Sequence, residues 1–239
     1  MTVEGTVAAA EDGVPAKGHK VSEPGARPEP PADCGRCPRL VAYRHENRRR
    51  FPDFFNGAVP SFGDEDARLL IVGLAPGLKG ANRTGRPFTG DAAGSVLYPA
   101  LLALGLACGH YDENGHDDLR LTGVMITNAL RCVPPANKPT AAEIRRCNPY
   151  LRARIASLSR LGVILALGRI AHDAVLRALG VRLAAHPFAH GTTHVLGRYR
   201  LVDSYHCSRY NMNTGRLSEE AFRAVLARAR ALAFPANGG

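Results

Sequence analysis

Three short apolar runs punctuate this chain, Leu69-Leu70-Ile71-Val72, Val124-Met125-Ile126-Thr127-Asn128 and Val163 to Leu167, and Tyr199-Arg-Leu-Val-Asp203 reads as a fourth strand. Runs of this length without polar alternation suit strands buried on both faces. Between and after them lie segments of helical period. The spacing predicts a helix from Ser95 to Leu104, begun at Asp91 and stopped by Gly105. A capping box at Thr140-Ala-Ala-Glu143 predicts another, reaching about Leu158. Ile170 to Leu179 reads as a third, closed by Gly180, and Leu217 to Ala233 as a last helix with an arginine-bearing outer face. Strands alternating with helices predict a parallel sheet with helices on both sides. Three of these strands run into polar loops, namely Gly73 to Asp91, Asn128, and His206 to Asn211. Parallel strands bring such ends to one edge, where open α/β sheets bind ligands.

The loop after the first strand reads Gly73-Leu-Ala-Pro-Gly77-Leu-Lys-Gly-Ala-Asn-Arg-Thr-Gly-Arg-Pro-Phe88-Thr-Gly-Asp91. Its glycines let backbone N–H groups approach an anion or a planar ring, because glycine takes positive φ and carries no side chain. The spacing matches neither G-x-x-x-x-G-K-[ST], since Gly80 follows Lys79, nor G-x-G-x-x-G. Phe88 and Asp91 make the loop an active-site candidate rather than a plain turn.

The chain has 239 residues and a formal net charge of +10. Residues 1 to 32 hold five acidic and three basic residues, five prolines and four glycines, and no periodic apolar pattern. They read as a disordered tail, and residues 33 to 239 as one domain. Without the tail the balance is 28 Lys and Arg against 16 Asp and Glu, or +12. A basic, arginine-rich body suits phosphate contacts. No apolar stretch reaches membrane-spanning length and the N-terminus lacks an apolar signal core, so the expected location is the cytosol and no membrane partner is expected.

Cys34 and Cys37 form a C-x-x-C, and Cys132 and Cys147 lie mid-chain. With no secretion signal, two such pairs point to a metal or cluster rather than to disulfides. Zinc and a [4Fe-4S] cluster both accept four thiolates, but a zinc ribbon pairs two C-x-x-C knuckles and only one is present, which favours the cluster. Cys108 and Cys207 fall outside this set and read as small apolar residues.

The cysteine set, Gly-Leu-Ala-Pro-Gly with Arg-Thr-Gly-Arg-Pro-Phe-Thr-Gly-Asp, Thr-Asn-Ala-Leu-Arg-Cys, and Ser-Tyr-His-Cys-Ser-Arg-Tyr-Asn together resemble the uracil-DNA glycosylase superfamily. Within it they resemble the type B, or family 5, enzymes, over most of residues 33 to 233. The resemblance implies a three-layer α/β/α fold around a four-stranded parallel sheet and a [4Fe-4S] cluster on the four cysteines. It implies a monofunctional glycosylase, acting as a monomer on DNA that contains uracil or other deaminated or damaged bases and leaving an abasic site. Asp91 then stabilises the sugar cation and positions water, His206 hydrogen-bonds the departing base, and Asn128 reads the base edge. Phe88 offers a stacking face, and Gly73 and the Ala75 amide complete the pocket. Ser208, Arg209 and Asn211 resemble the loop that grips phosphate and enters the duplex. Leu74 and Ala75 stand where other members carry an acid, which leaves Asp91 as the carboxylate. No lysine is placed for Schiff-base chemistry, so strand cleavage is not expected.

Bland roles compete at each position: a helix cap for Asp91, a surface loop for His206, a turn amide for Asn128, a solvated side chain for Arg209. The rival reading is a non-catalytic iron-sulfur protein that binds DNA, in which Asp91 and His206 need not converge.

Overall fold

The computed structural model describes residues 27–235; the expected tail up to residue 26 lies outside them. Helix α1 (Pro38–Arg50) follows the C-x-x-C directly, with proline in its first turn, where a missing N–H costs nothing. The chain continues through β1 (Phe62–Gly63), β2 (Leu69–Gly73), α2 (Ala81–Thr84), α3 (Gly94–Ala103), β3 (Ala107–Cys108), β4 (Arg120–Leu121) and β5 (Val124–Asn128). After these come α4 (Ala141–Ser157), β6 (Val163–Leu167), α5 (Arg169–Ala178), β7 (Thr193–Leu196), β8 (Tyr199–Ser204), α6 (Arg209–Asn213) and α7 (Glu219–Ala233).

The main sheet has the order β1-β5-β2-β6-β8-β7. The inner strands β5, β2, β6 and β8 pair in parallel, while β1 and β7 join the edges antiparallel. The sheet is therefore mixed and six-stranded, larger than the four strands expected. Gly73 lies opposite Asn128 in the β2–β5 register, so two of the expected loop starts are neighbours by pairing alone.

Side chains of β2 alternate between two cores, as strand geometry requires. Leu69 and Ile71 pack with Leu97 and Leu101 of α3 and Phe222 and Leu226 of α7. Leu70 and Val72 face Ile144 and Leu151 of α4 and Val175 of α5 on the other side. Helices thus cover both faces, in three layers.

Local signals end the helices where the sequence places them. The Thr140 hydroxyl accepts from the Glu143 amide and the Glu143 carboxylate accepts from the Thr140 amide, closing the capping box. Gly180 takes φ +71 just past α5, a conformation that costs glycine little.

The boundary at residue 32 falls inside packed structure. Glu29 accepts from Arg131, 1% exposed, at 2.6 Å and from Arg154 at 2.7 Å, and Ser61 N–H donates to it at 3.0 Å. These partners hold its carboxyl below the usual carboxylate range against the cost of burial.

Candidate active site

The carboxyl ends of the inner strands open into a cleft of about 710 Å³. Asp91, Asn128, His206, Ala75, Phe88, Ser208 and Arg209 all line it. Gly73 and Asn211 do not. A Cβ on Gly73 would sit 2.4 Å from Asn128 Oδ1 and 2.5 Å from Phe88 Cζ, so the missing side chain is what lets these two groups meet. Asn211 donates its side-chain amide to the His206 carbonyl at 2.8 Å and lines a neighbouring pocket. It supports the loop from behind.

Asp91 serves two purposes with its two oxygens. Oδ1 accepts the amides of Ala93 and Gly94, both at 3.1 Å, so the helix-cap reading is part of the truth. Oδ2 faces the glycine turn: a Cβ on Gly80 would lie 2.6 Å from it and one on Gly77 3.5 Å. The glycines at 77 and 80 therefore make room for a carboxylate anchored by one oxygen, with the other turned towards the turn.

The His206 ring stacks on Phe88, with centroids 5.8 Å apart and planes 24° from parallel. Burial pulls the imidazole below the ordinary histidine value, while the Asp91 carboxylate pulls the other way. That direction favours the neutral ring, which offers one N–H. Phe88 is buried at φ +55, a conformation a bulky residue holds at a cost of roughly 1–3 kcal/mol, of the kind that gathers at functional sites. Tyr98 secures the same turn by donating to the Pro87 carbonyl at 2.5 Å.

Asn128 ends β5, 3% exposed, and among the described residues no protein group hydrogen-bonds its side chain. Its donor and acceptor are available to a guest. Ser208 caps α6, its hydroxyl accepting from the Asn211 amide at 3.4 Å. Arg209 is exposed at the rim, and next to it Tyr210 is 71% exposed.

Three contributors escaped the sequence reading. Gly80 was only one glycine among several, and its contact with Asp91 is tertiary. The first turn of α5, with Ile170 and Ala171, lines the cleft after an uncapped glycine start at Gly168; β6 ends without a polar loop, so nothing flagged it. Tyr210 carried no signal beyond being aromatic next to Arg209.

The four cysteines predicted as ligands line a second, smaller cavity with Leu40, Leu130, Arg131 and Tyr150. Burial and the neighbouring sulfurs push the Cys132 thiol up to about 12, and burial pushes Cys147 up to about 11, against an amide donated by Arg131 at 3.4 Å. Cys207 is fully buried in the core as expected, donating towards the Ala93 carbonyl at 3.6 Å, but Cys108 is exposed on β3. Cys108 is not core.

A third polar group joins α5, β7 and β8. His172, His194 and Asp203 place ligand atoms within 4.8 Å of one another, close enough to hold a metal ion. Each is also hydrogen-bonded: His172 Nδ1 and His194 Nε2 meet the two Asp203 oxygens at 2.7 and 2.9 Å, and His172 Nε2 meets the His186 carbonyl at 2.8 Å. Among the described residues no helix is long and apolar enough to cross a membrane.

Residues 60–230 match the model of the uracil DNA glycosylase superfamily. A type-5 uracil-DNA glycosylase of Thermus thermophilus is 50% identical over 206 residues, covering 84% of this chain and 94% of that protein. One from Pyrobaculum aerophilum is 43% identical over 203 residues, covering 83% and 88%. A type-4 uracil-DNA glycosylase of the latter organism is 36% identical over 151 residues, 63% of each chain.

Proposed function

The chain belongs to the uracil-DNA glycosylase superfamily, among the type-5 enzymes, and on that premise we propose how its residues carry out the family's reaction, hydrolysis of uracil from DNA. The carrying observation is that Asp91, Asn128 and His206, from β5 and the loops after β2 and β8, line one cleft. The non-catalytic rival does not require that.

The target nucleotide leaves the base stack and enters the cleft, its base against Phe88. Asn128 pairs with the base edge through its free amide, one donor and one acceptor. As the N-glycosidic bond breaks, its electron pair stays on the base and positive charge builds on the sugar. Neutral His206 donates a hydrogen bond to the carbonyl oxygen that gains negative charge. The free oxygen of Asp91 faces the sugar cation and orients the water that attacks it, then accepts the water's proton. Free base and an abasic site result. Ser208, Arg209 and the exposed ring of Tyr210 hold the opened strand, with Tyr210 suited to fill the gap in the stack. The enzyme is proposed to act as a monomer, with residues 33 to 239 as its catalytic domain and Glu29 tied into it by Arg131 and Arg154.

The four cysteines suit a [4Fe-4S] cluster. Buried thiols with raised pKa values stay protonated unless a cationic group displaces the protons. All four cysteines line one cavity, and the single C-x-x-C among them favours the cluster over a zinc ribbon built on two such knuckles. Bound there, the group supplies a covalent tie between the C-x-x-C before α1 and Cys147 of α4, and no bond-making at the cleft.

Leu74 and Ala75 give the cleft an apolar wall that imposes no hydrogen-bond requirement, so bases beyond uracil are substrates, hypoxanthine among them. Release rates for uracil, hypoxanthine and normal bases in matched duplexes test this. Both damaged bases should be released and mispaired lesions faster than paired ones; strict uracil specificity contradicts the assignment of that wall.

A further inference from the structure

Behind the His206 loop lies a second pocket of about 270 Å³, lined by Arg169, Phe188, Tyr205, Asn211 and Arg216. It adjoins the cleft at two points. Tyr205 precedes His206, and Arg169 precedes Ile170 of the cleft wall. Asn211, which lines it, also holds the His206 carbonyl.

Its two arginines are posed on aromatic rings. Arg216 Cζ lies 4.5 Å from the Tyr205 ring centre, and Arg169 Cζ 5.7 Å from that of Phe188. Both side chains are exposed, and among the described residues neither makes a hydrogen bond or an ion pair. A guanidinium laid on a ring keeps its N–H fork in the plane, free for an anion. Tyr205 is further engaged by His190, stacked at 4.9 Å and 7°, whose Nδ1 accepts the Tyr205 amide at 3.1 Å. These rings serve as platforms for the cations, not as open faces for a base.

The loop that carries Phe188 and His190 is built firmly. His172 holds the His186 carbonyl, Ala189 N–H donates to Asp203 at 3.3 Å, and Arg228 donates to the Gly191 carbonyl at 3.0 Å. Two unpartnered cations are thus fixed beside the cleft and no carboxylate lines their pocket. Two cations lining one pocket repel one another, and an anion between them turns that repulsion into attraction.

We propose that this pocket binds a backbone phosphate of the DNA strand flanking the nucleotide in the cleft, forked by Arg169 and Arg216. The proposal rests on the DNA glycosylase reading of the cleft. The charge spacing of a strand, one phosphate per roughly 3.4 Å of axis, guarantees phosphates close to any flipped nucleotide.

The test uses the full chain with Arg169→Gln and Arg216→Gln, singly and together, and a uracil duplex scanned with one neutral methylphosphonate at a time. In the unaltered protein one position near the uracil should weaken binding about five- to tenfold. In the double variant DNA binding should be about tenfold weaker, the salt dependence shallower by one to two ions, and that same methylphosphonate without further effect, while the saturated rate stays within about twofold. Arg216→Lys, which keeps the charge and loses the fork, should fall between, and serves if a Gln variant does not fold. Equal sensitivity of the unaltered and double-variant proteins at every position would overturn the proposal, as would an unchanged salt dependence with a reduced saturated rate. Uracil release by the unaltered protein reports separately on the cleft.

Discussion

His206 lies against Phe88, 118 positions away in the chain, with their rings 5.8 Å apart and 24° from parallel. The contact joins the loop after β8 to the loop after β2, and Phe88 holds a left-handed backbone to make it. A stack of this kind shields the imidazole from water on one face and fixes where its N–H points. Orientation and neutrality are thus set by the same packing.

His206 should therefore titrate below the ordinary histidine value of about 6.5. The sign follows from linkage: a histidine buried neutral charges in the unfolded chain first, so the folded state loses stability as pH falls through about 6.5 and below. Nitrogen-detected NMR of the His206 ring should show a neutral tautomer at pH 7. A charged ring at that pH contradicts the role given to it.

Gly80→Ala should misplace the catalytic carboxylate without touching the substrate. The added Cβ would sit 2.6 Å from Asp91 Oδ2 and must push it aside. Displacement of a reacting group by about an ångström costs up to about 100-fold. We expect kcat to fall about 10- to 100-fold with KM and DNA affinity nearly unchanged; an unaffected kcat would mean that Oδ2 does not take part.

Much of this arrangement is legible in the sequence, for reasons that differ by element. β2, β5 and β6 stand out because both of their faces are buried and their residues are mostly apolar, whereas β8 carries Arg200 and shows mainly through Leu201 and Val202. β1 is two residues long and β7 leaves Val195 exposed, so neither edge strand carries that signature. Helix α1 was missed because it is rich in charge and buries Leu40 beside Arg44 and Asn47, a face that reads as polar. Asp91, Asn128 and His206 were readable as motif residues at strand ends. The room that Gly80 gives Asp91, and the pairing of Arg169 with Phe188, exist only once distant segments meet.

The cysteine cavity makes a prediction of its own. Anaerobically purified protein should be brown and carry about four irons per chain. Cys132→Ala should lose iron and soluble protein together, because the tie between α1 and α4 goes with it. Iron-free protein holding one zinc per chain would overturn the cluster assignment.

The most direct test of the catalytic account is single-turnover uracil release by Asp91→Asn. Asparagine keeps a side-chain oxygen to accept the Ala93 and Gly94 amides, so the helix cap and the melting temperature should persist. It removes only the charge. The account predicts a rate lower by about 100-fold or more with DNA affinity within about threefold. A variant that cleaves at the unaltered rate would show that Asp91 is a helix cap and nothing more.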